Sequence, residues 1–152
     1  MKRTALTFAL ALVAAGACFA QDPNLGTWKF NQAKSHMAPG VNKYATVVYE
    51  AVGDDVKVTQ DGTDKDDKPI HAEWTGKFDG KDYPLTGNPS VDSRSYTKID
   101  DHKMMTTNKK NGKVIVIARS VISADGKTRT VQISQVEPNG KKLASTAVYD
   151  KQ

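Results

Sequence analysis

After residue 20 the chain has no cysteine; its single one is Cys18. A disulfide framework, thiolate catalysis and cysteine-based zinc sites are therefore excluded from everything that follows. No apolar run recurs beyond residue 20, so nothing later reads as a membrane-spanning helix, which needs about 20 apolar residues. The remainder reads as a soluble protein without an integral membrane segment. A strong excess of one charge sign is missing too. There are 22 Lys and Arg against 17 Asp and Glu, and Lys2 and Arg3 belong to the N-terminal leader, which leaves a mild excess of positive charge. Lysine and aspartate alternate, as in "DGTDKDDKP", "DGKDYP" and "KIDDHK". Nucleic-acid binding calls for clustered basic residues interleaved with aromatics. No such stripe exists, so no nucleic-acid partner is expected and the charges read as a solvated surface.

Catalytic and metal constellations are equally scarce. His36, His71 and His102 do not stand at metal-ligand spacing, so neither a metal site nor a cofactor is expected. Ser93 and Ser95 flank Arg94, but no Gly-x-Ser-x-Gly elbow surrounds them. The pairs Asp54 and Asp55, Asp66 and Asp67, and Asp100 and Asp101 sit in turn-like charged stretches, where solvation is the default. Asp61, Asp64, Asp66 and Asp67 resemble calcium ligands in composition, but the glutamate that closes an EF-hand loop is missing. Met104 and Met105 are neighbours and would face opposite sides of a strand, so one of them enters the core. The chain does not read as an enzyme.

The N-terminus carries a leader. Lys2 and Arg3 precede an uncharged stretch from Thr4 to Ala15, too short to span a bilayer. The small residues Cys18 and Ala20 suit signal peptidase, so residues 1–20 read as a signal peptide cleaved after Ala20. The alternative, a lipoprotein leader acylated at Cys18, fits less well because Ala15 stands where that signal carries a larger residue. Residues 21–152 then form a single periplasmic or secreted domain, long enough for one real core and too short for two.

Turn signals punctuate that domain: Gly53-Asp54, Asp61-Gly62, Asp79-Gly80, Asn111-Gly112, Asp125-Gly126 and Asn139-Gly140. Such pairs tolerate the backbone of tight hairpins. The last three glycines are evenly spaced, and each interval holds one long strand and its turn. Between them lie "ATVVYEAV" (45–52), "DVKVTQ" (55–60), "IHAEWTGKF" (70–78), "KVIVIARSVI" (113–122), "TRTVQISQVE" (128–137) and "KLASTAVYDK" (142–151). Alternation is clear in most. "KVIVIARSVI" is apolar on both parities at its start, which predicts burial on both faces there. Asn31 is placed to cap a short helical turn that Pro39-Gly40 would end. Consecutive strands with short turns give an all-β antiparallel meander. A meander of 8–10 strands closes readily, because closure removes exposed edges. The expected fold is an up-and-down barrel; a β-sandwich or clam is the alternative.

"GTWKF" (26–30) opens the first strand. It resembles the start of the calycins, the lipocalins and fatty-acid-binding proteins, and the mature chain as a whole resembles exported bacterial lipocalin-like proteins without an assigned role. The resemblance implies that Gly26 bends the chain into the barrel floor and that Trp28 plugs it. It also implies a basic residue from the last strand stacked on that indole, for which Arg129, Lys141 and Lys142 are candidates. The chain departs from fatty-acid-binding proteins in two ways. Residues 31–44 contain Pro39 and Gly40 and cannot hold a helix pair, and Ala147 stands two before Tyr149 where those proteins carry arginine. The function this implies is a small apolar or amphipathic ligand held in the lumen, with Trp74, Phe78, Tyr83, Tyr96 and Val116 on its wall by alternation. The alternative is a solid barrel that contacts an envelope protein partner through its loops, "DGTDKDDKP" and "LTGNPSVDSRS" above all, or through an outer face.

Overall fold

The computed structural model describes residues 22–152; the expected leader, its cleavage position and Cys18 lie outside the described residues. Ten strands follow one another: β1 (Gly26–Phe30), β2 (Lys43–Val52), β3 (Asp55–Thr63), β4 (Pro69–Gly76), β5 (Tyr83–Thr86), β6 (Ser93–Lys98), β7 (Lys103–Lys110), β8 (Lys113–Ile122), β9 (Thr128–Val136) and β10 (Lys142–Lys151). Each pairs antiparallel with its neighbour in sequence, and β1 pairs with β10 through Trp28–Lys151 and Phe30–Tyr149. The meander is therefore a closed ring, and the two-sheet alternative does not apply.

The turns explain the register. Lys110 faces Lys113 across Asn111-Gly112, whose φ values of 50° and 74° are the pair of positive angles that matches strand twist in a two-residue hairpin. The connection from β1 to β2 carries the short helical turn, Gln32–Lys34, capped as expected: the Asn31 side chain accepts from the Lys34 amide at 3.1 Å. Ser35 then donates to the Asn31 carbonyl at 2.7 Å and accepts from the Val148 amide at 2.9 Å, which fastens this connection to β10.

Alternation sorts the side chains. On β10 the inward set is Leu143, Ser145, Ala147 and Tyr149; on β9 it begins with Arg129. Met104 is buried and Met105 only partly so, as neighbours on a strand must be. The start of β8 corrects the sequence reading. Val114 and Ile117 are 46% and 43% exposed, so this stretch is not buried on both faces. The cause is a bulge: Asn108 pairs with Val116 and Lys109 with Val114, which leaves Ile115 unpaired. One extra residue resets the alternation, so Ile115 and Val116 both turn inward while Val114, Ile117 and Val121 share the outer face.

Candidate functional site

The barrel has a sealed end. Trp28 is fully buried there, and its indole Nε1 donates to the Asn24 carbonyl at 3.1 Å. Gly26, two residues earlier, holds φ at +112° with the Lys151 side chain against it, a backbone state that suits glycine. Residues 22–25 run across this end as a strap. Asp22 accepts from Lys98 at 3.1 Å, Asn24 donates to the Asp101 carbonyl, and Lys151 donates to the Pro23 carbonyl at 3.0 Å. Of the three candidates for the cation on the indole, Arg129 occupies the position, on the penultimate strand. Its guanidinium carbon lies 4.6 Å from the Trp28 ring centroid and 4.3 Å from that of Tyr49. Arg129 Nη2 donates to Asn24 Oδ1 at 2.8 Å. Lys151 also approaches the indole, at 5.1 Å, and burial together with the nearby Arg129 charge pushes its amine below the usual lysine range.

Part of the lumen is solid. Trp74 packs edge-on against Tyr96 at 4.7 Å and Tyr83 at 5.7 Å, and stacks on Phe78 at 6.3 Å. Its Nε1 donates to the Arg94 carbonyl at 2.9 Å. Tyr83 lies over Gly76, where any Cβ would collide with its ring. Of the five residues expected on the ligand wall, Tyr96 and Val116 border the cavity; Trp74, Phe78 and Tyr83 are in the packed cluster instead. Alternation tells which way a side chain points, not how far along the barrel axis it lies. These three point inward at a depth that aromatic rings fill.

Beside the cluster is a cavity of about 180 Å³. Its wall runs from Trp28, Tyr49 and Tyr149 near the floor, past Ile115, Val116, Val131 and Ile133, to loop residues Gly40, Val41, Lys65 and Asn88 at the other end. Arg94, only 3% exposed, stands in this wall. Its Nε donates to Asn108 Oδ1 at 2.7 Å, and its Nη1 donates to Tyr96 Oη at 3.1 Å and to Gln60 Oε1. All three acceptors are neutral. Nη2 has no hydrogen-bond partner among the described residues. Arg129, 2% exposed, leaves its Nε without one as well.

Charge of one sign lines this space, and the Glu137 carboxylate stands close to the wall near Gly40 at its loop end. Ion pairs among the described residues are made by lysines and His71, and neither buried arginine joins one. No Asp or Glu lines the cavity. Arginine does not surrender its proton in a protein, so both charges persist. Burial pushes the hydroxyls of Tyr96 and Tyr149 above the usual phenol range, and these rings stay neutral at physiological pH. A buried charge without a countercharge is costly. For Arg129 the Trp28 and Tyr49 rings offset part of that cost, a desolvated cation–π contact being worth up to about 2 kcal/mol. Arg94 has only its three neutral acceptors, one of which, Tyr96, also places its ring centroid 5.6 Å away.

Sequence reasoning missed Arg94, Gln60 and Asn108. The signal was present: Arg94 shares the parity of Tyr96 on "SRSY", and a charged residue on the inward parity of a strand is unusual. The carboxylates that resemble calcium ligands in composition are engaged locally. Asp64 accepts from the Asp66 and Lys68 amides, and Asp61 pairs with His71 at 2.6 Å.

Compared with models of known protein families the chain matches none, and no curated protein matches it.

Proposed function

We propose that this is an exported, lipocalin-like carrier that holds a small amphipathic molecule in its barrel without covalent chemistry. The observation that carries the reading is the cavity: about 180 Å³, its wall of apolar and aromatic side chains interleaved with polar ones such as Gln60, Ser120 and Gln135, above a floor closed by Trp28. A packed interior normally leaves few voids larger than a water molecule, and ligand sites combine an apolar wall with a few placed polar groups. An engineered cavity of about 150 Å³ accepts benzene, so the space suits a ligand of about one ring and a polar group. The expected signal peptide at residues 1–20 supports export to the periplasm or beyond. The test is a native mass spectrum of the exported, never-denatured protein beside a Val116→Trp variant that fills the cavity. The reading expects a discrete extra mass on the parent protein, lost on denaturation and absent from the variant. The same extra mass on both would place the ligand elsewhere and overturn it.

A second reading, contact with an envelope protein partner, draws on the outer face of β8. There Val114, Ile117 and Val121 stand between 43% and 46% exposed. The variant that fills the lumen would leave such a contact intact, which separates the two readings.

A further inference from the structure

We infer that the ligand is an anion, a small carboxylate attached to a ring or a short apolar body, and that Arg94 binds its charged end. This rests on the lumen-binding reading and goes beyond it by naming the ligand's chemical class. The cavity wall carries Arg94 and Arg129 as buried cations and Lys65 at its loop end, with no acidic side chain among its residues. Lys65 already has an ionic partner, Asp66 at 2.9 Å; among the described residues neither buried arginine has one.

The chain contains no acidic residue before Asp22, so residues 1–21 supply no side-chain countercharge either. Gln60, Tyr96 and Asn108 hold the guanidinium of Arg94 by Nε and Nη1 and leave Nη2 for another acceptor. A carboxylate meets that need, because charge-assisted hydrogen bonds to arginine are shorter and about twice as strong as neutral ones. The apolar stretch of the wall formed by Ile115, Val116, Val131 and Ile133 takes the apolar body. Arg129 is the less suitable anchor: its guanidinium is already covered by Trp28 and Tyr49 and capped by Asn24.

The test compares benzoate with benzyl alcohol, a neutral molecule of the same size, by NMR titration at neutral pH, with inorganic phosphate as a third arm. Benzoate is expected to bind at least about tenfold more tightly than benzyl alcohol, the gain of one charged hydrogen bond. It should shift the side-chain N–H signals of Arg94 in the parent protein, and Arg94→Met should remove the preference while benzyl alcohol still binds. The Arg94 signals are read without any substitution, so a variant that fails to fold does not silence the test. Equal affinity for the two molecules overturns the anion inference and leaves the carrier reading standing. A preference that survives in Arg94→Met, or shifts confined to Arg129, overturns the assignment to Arg94. Phosphate bound as tightly as benzoate, at Arg94, overturns the carboxylate class. If neither benzoate nor benzyl alcohol binds, both readings fall.

Discussion

Asn24 is a short side chain on which much of the sealed end depends. Its Oδ1 accepts from Arg129, its carbonyl from Trp28, and its own amide and Nδ2 both donate to Asp22. Asn24→Ala leaves an always-charged buried guanidinium without its best acceptor, and the expected loss is about 1–3 kcal/mol, read as a lower urea midpoint at unchanged slope. Asp22 belongs to the same lock. Burial opposes its charge, but the Asn24 hydrogen bonds and Lys98 outweigh that and hold its carboxyl below the usual range. Its contribution is present above the unfolded carboxyl value and is lost as pH falls through the lower folded one. His71 behaves in the opposite sense. Its hydrogen bond to Asp61, with Glu73 on the other side, raises its pKa above the ordinary histidine value. The stabilisation is full below the unfolded histidine value and disappears as pH rises through the raised folded one. An NMR titration of the imidazole should give a midpoint above that of an unstructured histidine, and Asp61→Asn should lower it.

At the level of elements, the strands were legible because each is bracketed by turn chemistry and sorted by alternation. β8 and β10 have the bounds that "KVIVIARSVI" and "KLASTAVYDK" suggested. The bulges were not legible, because an inserted residue leaves no mark of its own in a stretch of uniform β-formers. One falls at Ile115. Another lies between Tyr44 and Thr46 on β2, opposite Gly62 of β3. At Gly62 a Cβ would run into the Lys43 carbonyl, which is backbone and cannot swing aside. Gly62→Ala is therefore expected to cost about 2–3 kcal/mol, at the upper end of overpacking changes, read as a fall in thermal midpoint. Gly112→Ala, with open space around the new methyl, should cost only the backbone strain, about 1–2 kcal/mol.

For the whole molecule, closure follows from the meander, but the division of the lumen does not. Trp74, Phe78, Tyr83 and Tyr96 all carry the signal of inward-facing aromatics, and only register fixes which of them pack together and which border the cavity. The polar frame of Arg94 was hidden for a related reason: Gln60, Asn108 and Arg94 come from three strands, and nothing local ties them together. The central claim is that the space above the floor admits a small molecule. The most direct measurement is a methyl NMR titration with benzyl alcohol, because the chain supplies its own control. Ile115, Val116, Val131 and Ile133 line the cavity, whereas Val114, Ile117 and Val121 lie on the outer face. Saturable shifts confined to the inner set are predicted. Shifts confined to the outer set, or none at any concentration the protein tolerates, would contradict a ligand-bearing lumen.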